Sequence, residues 1–280
     1  METTTLTLTD SQLEQLENEL KHLTIRYDLA HTLYQVKLND GVITAYKSRK
    51  VVFSGPSALK ISERYQNIIK KEMAGSDEVG TGDYFGPVVV VACYITKDDY
   101  DWLTKLKIMD SKAMTDEVIN NVAPTLIKKL THSLLVLDNP TYNKVHQNLN
   151  LNHIKAQLHH KAYDHLRDKL GFLPKLCVVD QFTKPQAYYA SLSDDYGITH
   201  LHFETKAESK YLAVACASVI GRYYFLEAMN QLSQKFQFQF PLGAGKIVDD
   251  KGKELLRRYP DFNLNEVAKL HFKNTKRILD

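Results

Sequence analysis

Three short stretches between residues 34 and 55 alternate apolar and polar positions. YQVKL, VITAYK and KVVFSG place Val, Ile, Tyr or Phe at nearly every second position, the period of a half-buried strand. Asn39-Asp40-Gly41 stands between the first two and reads as a hairpin turn. Residues 10–22 follow another period: Leu13, Leu16 and Leu20 recur at helical spacing behind an Asp or Ser cap. PSALKISERYQNIIKKE returns to helical spacing behind Pro56. Residues 1–70 therefore predict a small α+β domain of helix, antiparallel sheet and helix. A charge-rich junction, IKKEMAGS, supplies a linker at about 66–75.

Past the junction the pattern becomes that of an α/β domain over residues 71–280. PVVVVACYI, HSLLVLD and LCVVD are apolar runs bounded by turn or polar residues, as buried strands should be. Segments around 115–130, 150–170, 207–232 and 263–279 have helical spacing, so helices should pack on a mostly buried sheet.

Composition narrows the class. With 25% charged and 44% hydrophobic residues in 280, the chain reads as soluble, globular and cytoplasmic. No apolar stretch approaches the roughly 18 residues that span a bilayer, so no membrane partner is expected. The N-terminus lacks the basic and apolar regions of a secretory signal. A net charge of +3 says little about partners. Cys93, Cys177 and Cys216 each sit in an apolar run, without a CxxC pair, and read as reduced core residues.

Chemistry enters with SDEVGTGDYFGPVVVVACYI, residues 76–95. Gly80-Thr81-Gly82 begins like a dinucleotide loop, but its next glycine comes one place late and a strand, not a helix, follows. Asp77 and Glu78 are more informative. Adjacent acids usually mark a solvated turn, but here an apolar strand follows, which anchors the pair at a sheet edge. Carboxylates held close repel unless a cation neutralises them, and a hard divalent ion takes oxygen ligands. Asp180 ends LCVVD, where a strand delivers a side chain to the mouth of a sheet. Glu208 opens a long helix in KAESKYLAVACASVIGR. Taken singly, Asp180 reads equally as a turn or cap acid, and Glu208 as an acid favoured by the helix dipole.

Together, DEVGTGDYFGPVVVVACYI, DSK at 110–112, VVDQF at 179–183 and KAESKYLAVACASVIGR at 206–222 resemble the type 2 ribonucleases H, most closely the HIII branch. DYFGP after the acidic pair, the N-terminal extension with YKSRKVVFSG and the C-terminal KLHFKNTK extend the resemblance over nearly the full length. It implies a ribonuclease H-like domain with a central mixed sheet, preceded by a TBP-like substrate-binding domain. It also implies that Asp77, Glu78, Asp180 and Glu208 are catalytic, metal-binding carboxylates. Glu208 matches the HIII variant, where the HII branch normally has an aspartate in Lys-x-Asp. Four carboxylates can hold two Mg²⁺ or Mn²⁺ ions about 4 Å apart.

The implied reaction is endonucleolytic cleavage of RNA in an RNA/DNA hybrid, leaving 5′-phosphate and 3′-hydroxyl ends. Glycines let main-chain groups approach ribose 2′-hydroxyls, which assigns Gly80, Thr81 and Gly82 to the substrate. Thr81 stands where the HII branch has arginine, so cleavage at a single embedded ribonucleotide should be poor. Lys112, Lys206 and Lys210 are candidates for phosphates near the metals; Tyr46, Lys47 and Lys50 are candidates on the small sheet. The alternatives are incision at single ribonucleotides and a silent nucleic-acid-binding protein. No obligate protein partner is inferred. His159-His160 reads as solvated or capping, and His271 carries no assigned chemistry.

Overall fold

The computed structural model describes residues 2–8, 10–65, 71–106, 108–109, 114–192 and 197–280. Its contacts divide the chain into Met1–Ile69 and Lys70–Asp280.

The N-terminal unit runs β1 (Thr3–Thr7), α1 (Asp10–Leu20), β2 (Ile25–Arg26), β3 (Thr32–Leu38), β4 (Gly41–Tyr46), β5 (Lys50–Ser54) and α2 (Pro56–Tyr65). The strands form one antiparallel sheet in the order β1-β5-β4-β3-β2. The alternation in YQVKL and VITAYK has the predicted meaning. Tyr34, Val36, Ile43, Ala45, Val51 and Phe53 face inward and meet Leu13, Leu16 and Leu20 of α1. The turn falls at Asn39-Asp40, with Leu38 opposite Gly41, and Asp40 accepts the Ser57 N–H at 3.0 Å to tie α2 to the hairpin. β1 escapes the sequence pattern because TTTLT has a single apolar residue; it is an edge strand held by backbone pairing to β5.

The larger unit begins with a strand where a linker was expected: Met73, Ala74 and Gly75 open β6 (Met73–Val79) and are buried. Then follow β7 (Val88–Ile95), α3 (Tyr100–Lys105), α4 (Asp116–Lys129), β8 (His132–Leu137), α5 (Asn139–His146) and α6 (Leu151–Leu170). The rest comprises β9 (Cys177–Asp180), α7 (Pro185–Tyr189), β10 (Leu201–Glu204), α8 (Leu212–Phe236), α9 (Lys246–Arg258) and α10 (Lys273–Leu279). The sheet order is β10-β9-β6-β7-β8. β10, β9 and β6 are parallel, while β7 and β8 are antiparallel to their neighbours, so the sheet is mixed.

Both faces of this sheet are covered, which is why its strands read as continuous apolar runs. Val89, Val91 and Cys93 of β7 pack toward α4 and α8; Val88, Val90 and Ala92 pack toward α5 and α6. α8 corrects the expectation that no segment is apolar enough to span a bilayer: its mean hydropathy reaches 1.3 over an 18-residue window. Of that window 61% is buried inside the protein, and α8 is the central core helix. All three cysteines are buried and free.

The approach of α8 to β6 depends on Gly75. A Cβ there would lie 2.4 Å from the Val214 nitrogen and 2.7 Å from the Ala213 carbonyl carbon, both main-chain atoms. Gly75→Ala must push α8 off the sheet and should destabilise the fold by about 2 kcal/mol or more. Urea denaturation measures this; a loss below about 0.5 kcal/mol contradicts the packing described.

Candidate active site

Strand alternation sends Asp77 and Glu78 to opposite faces of the sheet. Asp77 points toward α8, where it hydrogen-bonds Ser218; Glu78 points toward α6, where it meets Lys155 and His159. The pair was expected at a sheet edge, but β6 is a central strand between β9 and β7. What draws the acids together is the end of the strand. Asp77 turns one carboxylate oxygen back to accept the Glu78 N–H at 2.8 Å.

β9 supplies the third carboxylate. It runs parallel to β6 with Ser76 opposite Val179, so one further step sets Asp77 level with Asp180. Asp180 in turn accepts the Ala207 N–H at 2.8 Å. That bond fixes the 3₁₀ turn Ala207–Ser209, in which Glu208 is buried. Glu208 therefore precedes the long helix in its own short turn, and does not form the helix start as expected. Lys206 enters this turn with φ +55°, and Ala207 packs against Val178 and Val214.

Burial first, and then the charges of Glu78 and Asp180, push the Asp77 carboxyl up to about 8. Burial acts on Glu78 in the same direction, but His159 and Lys155 outweigh it and hold its pKa below the usual carboxylate range. The site thus has a carboxyl that keeps its proton near neutral pH on the α8 side and a compensated carboxylate on the α6 side. Among the described residues, no group of three or more His, Cys, Asp or Glu side chains stands placed to hold a metal ion. Chemically the donor set suits a hard divalent cation, since every candidate donor is a carboxylate oxygen.

Beside the acids lies the loop joining β6 to β7. Gly80 has φ +90°, and a Cβ there would lie 2.3 Å from the Pro87 carbonyl oxygen, so glycine is required. Gly82 is exposed, with nothing within 4 Å of where a Cβ would stand, and Thr81 is half-buried. The C-terminal segment clamps the far side of this loop. The Gly86 N–H donates to the Val267 carbonyl at 2.9 Å, and the Lys269 N–H donates to the Tyr84 carbonyl at 2.9 Å. The Lys269 side chain is fully buried and donates to the Asp83 carbonyl at 2.8 Å and to the Gly86 carbonyl. Burial lowers its ammonium to about 7.

The basic candidates differ in availability. Lys210 is ion-paired with Glu204, while Lys206 is exposed. Lys47 and Lys50 are exposed and Tyr46 is half-buried on the small sheet. Lys112 lies outside the described residues. The reading of His159-His160 as solvated is overturned. Both are buried, and His159 stands between the Ser76 hydroxyl at 2.8 Å and Glu78 at 2.8 Å. The sequence gives no hint that Lys155 and His159 are partners of Glu78. Their one sequence signal is the i, i+4 spacing on α6 that puts a lysine and a histidine on the face packed against the sheet.

A mixed five-stranded sheet with acids at the ends of its central parallel strands, covered by helices on both sides, defines a ribonuclease H-like nuclease domain. Residues 74–275 match the family model for ribonuclease HII, and residues 3–77 match a domain of unknown function, DUF3378. Ribonuclease HIII of Geobacillus sp. (strain WCH70) is 35% identical over 97% of this chain and 96% of its own. That of Streptococcus mutans serotype c is 36% identical over 99% and 97%. The crystal structure of Bst-RNase HIII in complex with Mn²⁺ superposes with a TM-score of 0.75 at 34% identity, covering 99% of this chain and 98% of that one. The chain belongs to the ribonuclease HIII family.

A dication bound at Asp77 must displace the proton that burial and its neighbours hold there up to about pH 8. Mn²⁺ binding near pH 7 should therefore release close to one proton, falling toward none well above pH 8. Calorimetry in buffers of different ionisation enthalpy reads this directly; proton release that does not change with pH contradicts it.

Proposed function

We propose that this chain is an endoribonuclease that hydrolyses the RNA strand of RNA/DNA hybrids. In this reading Asp77, Glu78, Asp180 and Glu208 hold two divalent ions, Mg²⁺ or Mn²⁺. The observation that carries it is the level placement of Asp77 and Asp180 on adjacent parallel strands, with the Glu208 turn bonded to Asp180. Bound ions would supply charge neutralisation at the scissile phosphate and an activated water. The chain's own contribution is placement. β6 and β9 fix two carboxylates rigidly, and the Ala207 N–H orients the Asp180 carboxylate.

Substrate choice is assigned to the exposed loop tip. Main-chain groups at Gly80, Thr81 and Gly82 can meet a ribose 2′-hydroxyl, the sugar feature that separates RNA from DNA. The clamp from Lys269 keeps that loop in one conformation. Lys206 is the free cation of the nearby pair and is assigned to phosphate; Lys210 must first leave Glu204. Tyr46, Lys47 and Lys50 give the N-terminal unit a polar, basic strand end suited to the duplex backbone. The products are a 5′-phosphate and a 3′-hydroxyl. Incision at a single ribonucleotide is the second reading, favoured by the match of residues 74–275 to the HII model. The Glu at position 208 and the N-terminal unit favour the first.

Asp77→Asn and Asp180→Asn should each lower hybrid cleavage with saturating Mg²⁺ by about 1,000-fold or more, while hybrid binding in a gel-shift assay stays within a few-fold. Full turnover in either variant would refute the carboxylate assignment.

A further inference from the structure

Glu78 presents a conflict. Both of its oxygens are engaged: Oε1 forms an ion pair with Lys155, and Oε2 meets His159 Nε2 at 2.8 Å. Neither partner is a surface group. The Lys155 side chain is 9% exposed and His159 is fully buried. Behind them the contacts are complete. His159 Nδ1 meets the Ser76 hydroxyl at 2.8 Å, and Ser76 is itself fully buried. A neutral His159 that donates Nε2–H to Glu78 and accepts the Ser76 hydroxyl proton satisfies all three groups. His159 is thus a fixed orienting partner, tied at both ends.

Lys155 is held differently. Besides Glu78, its contact is the face of Phe182, with Nζ 3.9 Å from the ring centroid. Phe182 follows Asp180 by two positions, so this ring lies on the loop that leaves the third carboxylate. A cation on an aromatic face keeps much of its stabilisation when it gives up a carboxylate. The ammonium therefore has a place to remain, and Glu78 can let it go without leaving it bare. A like-charged ion close by would favour that move, since two cations share one carboxylate poorly.

We infer that Lys155 is a resident cation that holds Glu78 in the ion-free protein and that a divalent ion must displace from it. Such a residue keeps the buried acids from repelling one another before the ion arrives, and it weakens ion binding in the free protein. It is a positioning residue, acting on the reaction through Glu78. The inference rests on the assignment of Glu78 as an ion ligand.

The test is Mn²⁺ titration by calorimetry into the full chain without nucleic acid, together with thermal unfolding with and without Mn²⁺. Lys155→Met and Lys155→Gln remove the charge and should bind Mn²⁺ about tenfold tighter or more, because the competitor is gone. Their melting temperatures should fall without Mn²⁺ and rise further than wild type with it. Lys155→Arg, which keeps the charge, should bind as wild type does. A purely structural lysine would lower stability with unchanged or weaker Mn²⁺ binding in both neutral variants, and that result overturns the inference. If a neutral variant folds only with Mn²⁺ present, the ion has replaced the missing charge as expected; one that stays unfolded in saturating Mn²⁺ overturns it. Glu78→Gln separates the two readings. Wild-type Mn²⁺ affinity in that variant removes Glu78 as a ligand. Weakened binding there, with Lys155→Met unchanged, removes the role of Lys155 alone.

Discussion

Two carboxylates of like charge, Asp77 and Asp180, stand level on adjacent parallel strands, at the mouth of a sheet whose faces are both covered. In that setting water cannot screen them fully, and the charge they carry together is unfavourable until a cation joins them. Burial first, and then the charges of Glu78 and Asp180, raise the pKa of Asp77 to about 8 in that setting. The local architecture around the site can be read as support for it. Gly75 lets α8 lie against β6 so that Ser218 reaches Asp77, and the Ala207 N–H restrains Asp180. On the opposite face α6 answers Glu78 with Lys155 and His159.

The same economy governs the glycine loop. Its exposed tip is bare main chain, which is useful for reading a sugar only if it does not wander. Rigidity comes from the C-terminal segment, through paired backbone bonds at Tyr84 and Gly86 and a lysine buried to reach two carbonyls. A buried ammonium is costly, and its depressed value of about 7 records that cost. Its retention makes physical sense where a loop must be held from within.

Much of this was legible in the chain. The runs PVVVVACYI and LCVVD announced buried strands, and the mixed sheet contains both. The alternation in YQVKL and VITAYK gave the small antiparallel sheet. The four acids were proposed from type, position and resemblance. What escaped was non-local. β1 has one apolar residue and β10 has two, LHFE, so neither carries a periodic signal; each exists because a neighbour offers a backbone edge. α9, KIVDDKGKELLRR, buries only Val248, Gly252 and Leu255, too few to stand out. Met73-Ala74-Gly75 looked like linker because small residues before an acid mimic a turn. His159 looked solvated because its neighbours on α6 are polar, and the partner that makes it a core residue lies 81 positions earlier. Adjacent acids also read as one patch, whereas strand geometry assigns them to different layers and different partners.

The most direct test of the account is anomalous diffraction from crystals of the wild-type chain grown with Mn²⁺. Manganese peaks are expected within coordination distance of Asp77 and Asp180 carboxylate oxygens, with Glu78 and Glu208 completing the shell. Manganese bound elsewhere on the surface, with those four side chains unliganded at saturating ion, would contradict it.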